Sequence, residues 1–189
     1  MSAPPDNYQE ARTMTLEAFA DTIIPGEKRH AGDRAVAGAA PGGGAVAAGA
    51  LDLLHDPATG VAPSLDSLVI TLNDHALRYA GDNGRPLDSA VPPFVALSFE
   101  DRTALVLELT APEHPEKAMW VGLALFSNMA FDSAAHLDTL DALAQGHPGL
   151  LTIGYNRPGS DGLWRFPAFS YGRPLADPHP RTTSTGSPE

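Results

Sequence analysis

The fourteen residues from Ala118 to Phe131 carry no charge. Apolar groups fall on every side of their helical projection, and a helix that is apolar all round is one buried on all sides. At 1.5 Å per residue the stretch spans about 21 Å of helix. That is short of the roughly 20 apolar residues a membrane span requires. The stretch therefore predicts the buried central helix of a helical domain, with the rest of the chain arranged to cover it.

The flanking segments supply the covering helices. Leu16, Phe19, Ala20, Ile23 and Ile24 recur at helical spacing behind a capping Thr13 or Thr15, and Pro25-Gly26 ends that helix. Residues 1–12 read as a flexible lead-in. Pro41-Gly42-Gly43-Gly44 breaks an Ala/Gly-rich run before a helix over 45–55. Leu65, Leu68, Val69, Leu72, Ala76 and Tyr79 form the stripe of a longer helix behind Ser64, a candidate cap. Ser98 opens a capping-box-like turn with Asp101, and the helix behind it turns Leu105 and Leu109 inward with Arg102 and Glu108 free to point out. A last amphipathic helix runs through Leu137, Leu140, Ala142 and Leu143 over 133–145.

The predicted fold is mainly α: a single-domain bundle of about six helices over 13–146 around the helix at 118–131. An irregular aromatic, Gly- and Pro-rich arm occupies 147–175, and 176–189 reads as a disordered tail. In the arm, Tyr155, Trp164, Phe166 and Tyr171 alternate with Arg157 and Arg165. Arg beside Tyr and Trp is the composition of a binding hot spot. The same composition suits an arm folded over its own core, and the pattern leaves both open.

Composition removes several function classes. Twelve basic residues stand against twenty-three acidic, for a formal charge of −11. Nucleic acid and anionic membranes, which call for a basic surface, are therefore not expected partners. There is no cysteine, hence no disulfide, thiolate nucleophile or Cys-ligated metal. The first nine residues show no signal-peptide pattern, so a cytoplasmic location is expected. The seven histidines form no HExxH, and no two are four apart on a helix, so no metal site is expected. Asp52–His55 and Asp132–His136 can share helix faces, a spacing more typical of surface pairs. The glycines at 42–44 lack the strand before and the Lys-Ser/Thr after that a phosphate loop needs. Asp21 lies inside the first helix, where a buried carboxylate usually bonds backbone amides.

Two stretches resemble a known family. Leu16-Glu17-Ala18-Phe19-Ala20-Asp21-Thr22-Ile23-Ile24-Pro25-Gly26 resembles the opening of the gluconate 2-dehydrogenase subunit 3 family. Pro41-Gly42 and the Ala/Gly segment through Gly49-Ala50-Leu51 are similar to the second segment of that family. The resemblance implies a small helical accessory subunit that binds and stabilises a larger flavoprotein oxidoreductase of the glucose-methanol-choline type. FAD and the oxidation of an alcohol or sugar-like substrate belong to that partner, and this chain binds no cofactor itself. The twin-arginine leader of many members is missing and the insert between Gly26 and Pro41 is long, which points to a cytoplasmic pair in specialised metabolism, and the high Ala, Gly and Pro content suits a GC-rich bacterial genome. The partner-binding residues expected are Tyr155, Arg157, Trp164, Arg165, Phe166 and Tyr171. The rival expectation is a cofactor-free cyclase, isomerase or dehydratase. Its apolar pocket would be lined by Trp120, Phe126, Met129, Tyr155 and Trp164, with Asp21 or His136 as acid or base.

Overall fold

The computed structural model describes residues 6–155 and 180–181. The chain divides into two compact units, Met1–Ile153 and Gly154–Glu189. Among the described residues, the first holds eight α-helices: α1 (Asp6–Ile23), α2 (Ala50–His55), α3 (Leu65–Asp82), α4 (Pro93–Ala96), α5 (Phe99–Leu109), α6 (Lys117–Ser133), α7 (Thr139–Ala144) and α8 (Pro148–Thr152). No strand occurs among the described residues, and the protein is mainly α. Arg157, Trp164, Arg165, Phe166 and Tyr171 lie outside the described residues.

The most enclosed helix is α1, which touches α2, α3, α4, α5 and α6. Between Thr15 and Thr22 every residue but Glu17 is buried. Several of these are polar, and each polar group is satisfied close by. Thr15 Oγ1 donates to Ala11 O at 2.9 Å, and Thr22 Oγ1 donates to Ala18 O at 2.7 Å. A hydroxyl that bonds back one turn costs little to bury. Phe19 carries the apolar weight, with its ring 6.3 Å from those of both Phe94 and Trp120. Leu16, Leu65, Leu72, Leu105 and Leu109 complete that core.

The expectation that α6 is buried on all sides is overturned. Trp120, Leu123, Ser127 and Ala130 face inward, at the three- and four-residue spacing of one helical face. Met119, Leu125 and Met129 are 37%, 53% and 42% exposed. An apolar residue needs no partner and tolerates water one side chain at a time. Periodicity therefore cannot say which face of a wholly apolar helix turns outward.

Other boundaries move for local reasons. The lead-in over 1–12 is helical from Asp6, because Arg12 is drawn into contact with Asp66 (2.6 Å) and His55 (2.9 Å). The helix expected over 45–55 begins only at Ala50, since Gly49 sits at φ 84°, a left-handed conformation. The helix expected over 133–145 is reduced to α7. Ala134 closes α6 at φ 48°, and Asp138 accepts from the amides of Leu140 and Asp141 to start a new helix. Residues 148–152, assigned to the irregular arm, form α8, which His147 caps by accepting from the Leu150 amide. Ser64 makes no side-chain cap, whereas Ser98 does accept from Asp101 N at 3.1 Å as expected.

The segment between α1 and α2 has no regular structure of its own and is held by buried charge. Asp21 accepts from Gly26 N (3.1 Å) and Ala37 N (2.8 Å). Asp33 accepts from Ala35 N and Val36 N and pairs with Arg29 at 2.6 Å. Gly26 and Gly44 meet backbone to backbone, where a Cβ on either would overlap the other stretch of chain. Arg102, expected to point out, is 3% exposed. Its guanidinium donates to four carbonyls: Arg34 O, Ala35 O, Phe94 O and Val95 O, at 2.6–3.2 Å. Arg102 stands three residues before Leu105 and seven before Leu109, on the inward face of α5.

Arg102→Ala should therefore strand several buried carbonyls at once. The expected loss is on the order of 3 kcal/mol or more, read as a lower urea midpoint; an unchanged midpoint would contradict this role. Asp33 gives a second expectation. Burial raises its pKa, but the Arg29 guanidinium and the backbone amides win and hold it at about 2, against 3.8 normally. A folded value below the unfolded one adds stability above the unfolded pKa, lost as pH falls through the folded one. Asp33→Asn should accordingly lose less stability than the parent between about pH 4 and pH 2, measured by denaturation at each pH.

Candidate functional site

Chemistry-bearing side chains gather at three places in the helical unit. The first is a cleft of about 590 Å³ over Arg102, lined by Lys28, Arg34, Arg85, Glu100 and Asp101 among others. All of these charges but the exposed Glu100 are engaged with protein. Arg85 pairs with Asp101 (3.1 Å), Arg34 with Asp88 (2.9 Å), and Lys28 Nζ donates to Asp33 O (3.1 Å). Asp101 also accepts from Ser98 Oγ at 2.7 Å. The cleft is polar, but its groups hold loops together.

The second place is a pocket of about 300 Å³ between the 47–49 turn and the α6–α8 corner. His136, Asp52 and His147 line it. Gly49 lies directly against His136 Nε2 and near an Asp52 oxygen, and a Cβ there would overlap the imidazole. The buried His136 Nδ1 has no hydrogen-bond partner among the described residues. Burial pushes the His136 pKa below 6.5, with Asp52 working the other way, so the ring is a neutral base at neutral pH. The His147 ring centroid is 6.5 Å from that of His136. Both His147 nitrogens are used, one facing Ala48 O at 3.1 Å and the other accepting from Leu150 N at 3.3 Å. His147 is thus a structural cap, and His136 is the group free to act. The expected Asp132–His136 and Asp52–His55 pairings do not form the site. Asp52 and His136 both border Gly49, and His55 Nδ1 lies 2.7 Å from Leu51 O.

Asp21 does not share this pocket. Both its oxygens hold backbone amides, and burial raises its pKa against those amides and Arg102. It fastens a loop, as a buried carboxylate inside a helix usually does. The residues expected to line an apolar pocket take different places where the structure describes them. Trp120 is fully buried against Phe19, Phe126 packs into the core, and Met129 faces outward. Tyr155 is half-buried and belongs to the second unit, and Trp164 lies outside the described residues.

The third place joins α3 to the start of α6. His75, His114 and Glu116 bring one ligand-type atom each within 4.8 Å of one another. His75 Nε2 is 2.8 Å from Glu116 Oε2, and Trp120 Nε1 donates to the same oxygen at 3.1 Å. The Glu116 amide donates to His114 Nδ1 at 3.1 Å. The hydrogen bond from His75 leads in lowering the Glu116 pKa, with Trp120 adding and burial opposing. His75 also stacks edge-on to His114 and Trp120, with centroids 5.7 and 5.8 Å away. Residues 75 and 114 are too far apart in sequence for spacing to pair them; the only local signal is the His-x-Glu at 114–116.

Beyond these sites α6 turns Met119, Leu125 and Met129 to the surface, the last two four residues apart on one helix face, with no charge among the three.

The fold and these sites define an all-α protein with a polar histidine pocket and an apolar helix face. The chain belongs to the family of unknown function DUF5987, which it matches over residues 10–189. No curated protein and no solved structure matches it.

His136 should titrate with a midpoint below 6.5, followed through its ring protons by NMR. The folded pKa lies below the unfolded one, so its stabilising contribution is full above the unfolded value. That contribution disappears as pH falls through the folded value. A midpoint at the ordinary value would mean that the ring is solvated, and one above it that the Asp52 charge outweighs burial. Gly49→Ala should push the imidazole aside and lower stability by about 1–2 kcal/mol, with a shifted His136 resonance as the site-specific sign.

Proposed function

We propose that this chain is a non-catalytic accessory subunit that binds and steadies a larger FAD-dependent oxidoreductase of the glucose-methanol-choline type. The observation that carries the reading is the exposed stripe of Met119, Leu125 and Met129 on a helix whose central stretch has no charge. An apolar face of this kind on a protein otherwise rich in acidic residues is a docking surface in want of a partner. The partner class comes from the resemblance of Leu16–Gly26 and Pro41–Leu51 to the gluconate 2-dehydrogenase subunit 3 family. On this reading FAD and the oxidation of an alcohol or sugar-like substrate lie in the partner. Tyr155, Arg157, Trp164, Arg165, Phe166 and Tyr171 supply further contacts, and the pair works in the cytoplasm of a bacterium.

One observation favours a second reading. The unpartnered, buried Nδ1 of His136 beside Asp52 in a polar pocket is a general base in waiting. It supports a cofactor-free enzyme with His136, and without Asp21, at its centre.

The discriminating experiment is affinity capture of the tagged protein from its host, with an absorbance spectrum of the eluate. A larger co-purifying chain with a flavin spectrum supports the subunit. Leu125→Ser with Met129→Ser should abolish that capture while changing stability by no more than about 0.5 kcal/mol per site, since both side chains already face water. A lone colourless chain, or capture undiminished by the double substitution, overturns the proposal. A colourless chain then makes His136→Gln the variant to assay.

A further inference from the structure

We propose that His75, His114 and Glu116 form a binding site for a divalent first-row transition ion, Zn²⁺ in particular. Two imidazoles and one carboxylate are a zinc donor set, and they leave a fourth position for water. All three ligand atoms already lie within 4.8 Å of one another, so an ion can enter their midst with side-chain adjustment alone. The cluster stands on rigid parts. His75 projects from the long helix α3, Glu116 precedes the first turn of α6, and the fully buried Trp120 lies against both. Trp120 Nε1–H holds one carboxylate oxygen, the kind of outer hydrogen bond that orients a metal-binding carboxylate. The three residues are each partly exposed, which provides a route in for the ion.

Binding replaces bonds that the cluster now makes. His75 Nε2 exchanges its contact with Glu116 for one with the ion, and the ring proton moves to Nδ1. That proton then faces Arg78, now 3.3 Å away, and the exposed Arg78 side chain swings clear. His114 gives up the hydrogen bond from the Glu116 amide whichever nitrogen it presents. Through Nδ1 the ion takes that place directly, and through Nε2 the ring proton moves to Nδ1. The two imidazoles meet the ion neutral and the carboxylate meets it charged, as coordination requires.

The test is calorimetric titration of the full chain with Zn²⁺ alone. One ion per chain is expected, and His114→Ala and Glu116→Gln should each weaken it at least tenfold. Neither change removes core packing, and Glu116→Gln keeps a side-chain oxygen that can accept from Trp120; circular dichroism confirms that both fold. Trp120 gives an independent readout. In Trp164→Phe it is the one tryptophan left of two, so Co²⁺ should quench its fluorescence and excess Zn²⁺ should restore it. The proposal is overturned if the parent binds no Zn²⁺, or if the ion binds equally well to both variants. Absence of Co²⁺ quenching at Trp120 overturns it as well.

Discussion

A buried guanidinium bonded to four carbonyls is the constraint on which the first unit depends. Arg102 joins the 34–35 loop to α4, and it does so from α5, a helix packed on α1. Asp21, on α1, holds the same loop region through two amides. The two side chains face the long segment between α1 and α2 from opposite partners. Each satisfies backbone groups that would otherwise be buried without hydrogen bonds, which is the costly condition in a protein interior. Their charges lie close enough to favour one another, although burial still raises the Asp21 pKa and lowers that of Arg102. The arrangement stabilises by completing hydrogen bonds more than by attraction between ions.

Much of this is legible in the residues and part is not. The all-α class comes from periodicity, and α3 and α5 fall where their stripes put them. Ser98 is the cap that its spacing with Asp101 indicates. Which helix sits inside is not legible, because hydropathy counts side chains and not their hydrogen bonds. α1 is enclosed although it carries Thr15, Asp21 and Thr22, each satisfied within a few residues or by a nearby loop. α6 is more apolar, yet turns Leu125 and Met129 to water. Arg102 is recognisable by its register with Leu105 and Leu109, a signal that the expectation of an outward arginine overlooks. The cluster of His75 with His114 and Glu116 has no such signal, since it depends on how α3 meets the start of α6. His136 stands out in the sequence, but spacing sets it beside Asp132, whereas the carboxylate that shares its pocket is Asp52, on the other side of the turn at Gly49.

The two faces of the unit suit different tasks. Most polar groups in the Arg102 cleft are consumed in holding loops, so its volume is a poor guide to its importance. The His136 pocket is smaller but contains a nitrogen left without a partner among the described residues. The α6 stripe contains no polar chemistry at all and offers area to another surface. A partner-binding reading and a catalytic reading therefore lie on separate parts of the same molecule, and neither Leu125 nor Met129 lines the His136 pocket.

The fastening of the 24–48 segment also bears on the order in which the chain assembles. That segment contains no helix able to form early by itself, and its anchors are distant in sequence: Asp21 to Ala37 spans 16 residues, and Arg102 to Ala35 spans 67. Contacts that close loops this long come after local helices have formed. Of these anchors only the Arg102 bonds to the 34–35 carbonyls need α5 in place, whereas those of Asp21 and Asp33 need only α1 and the segment itself. Release of α5 therefore frees the 34–35 turn first, while Asp21 still fastens the flanks of the segment to α1.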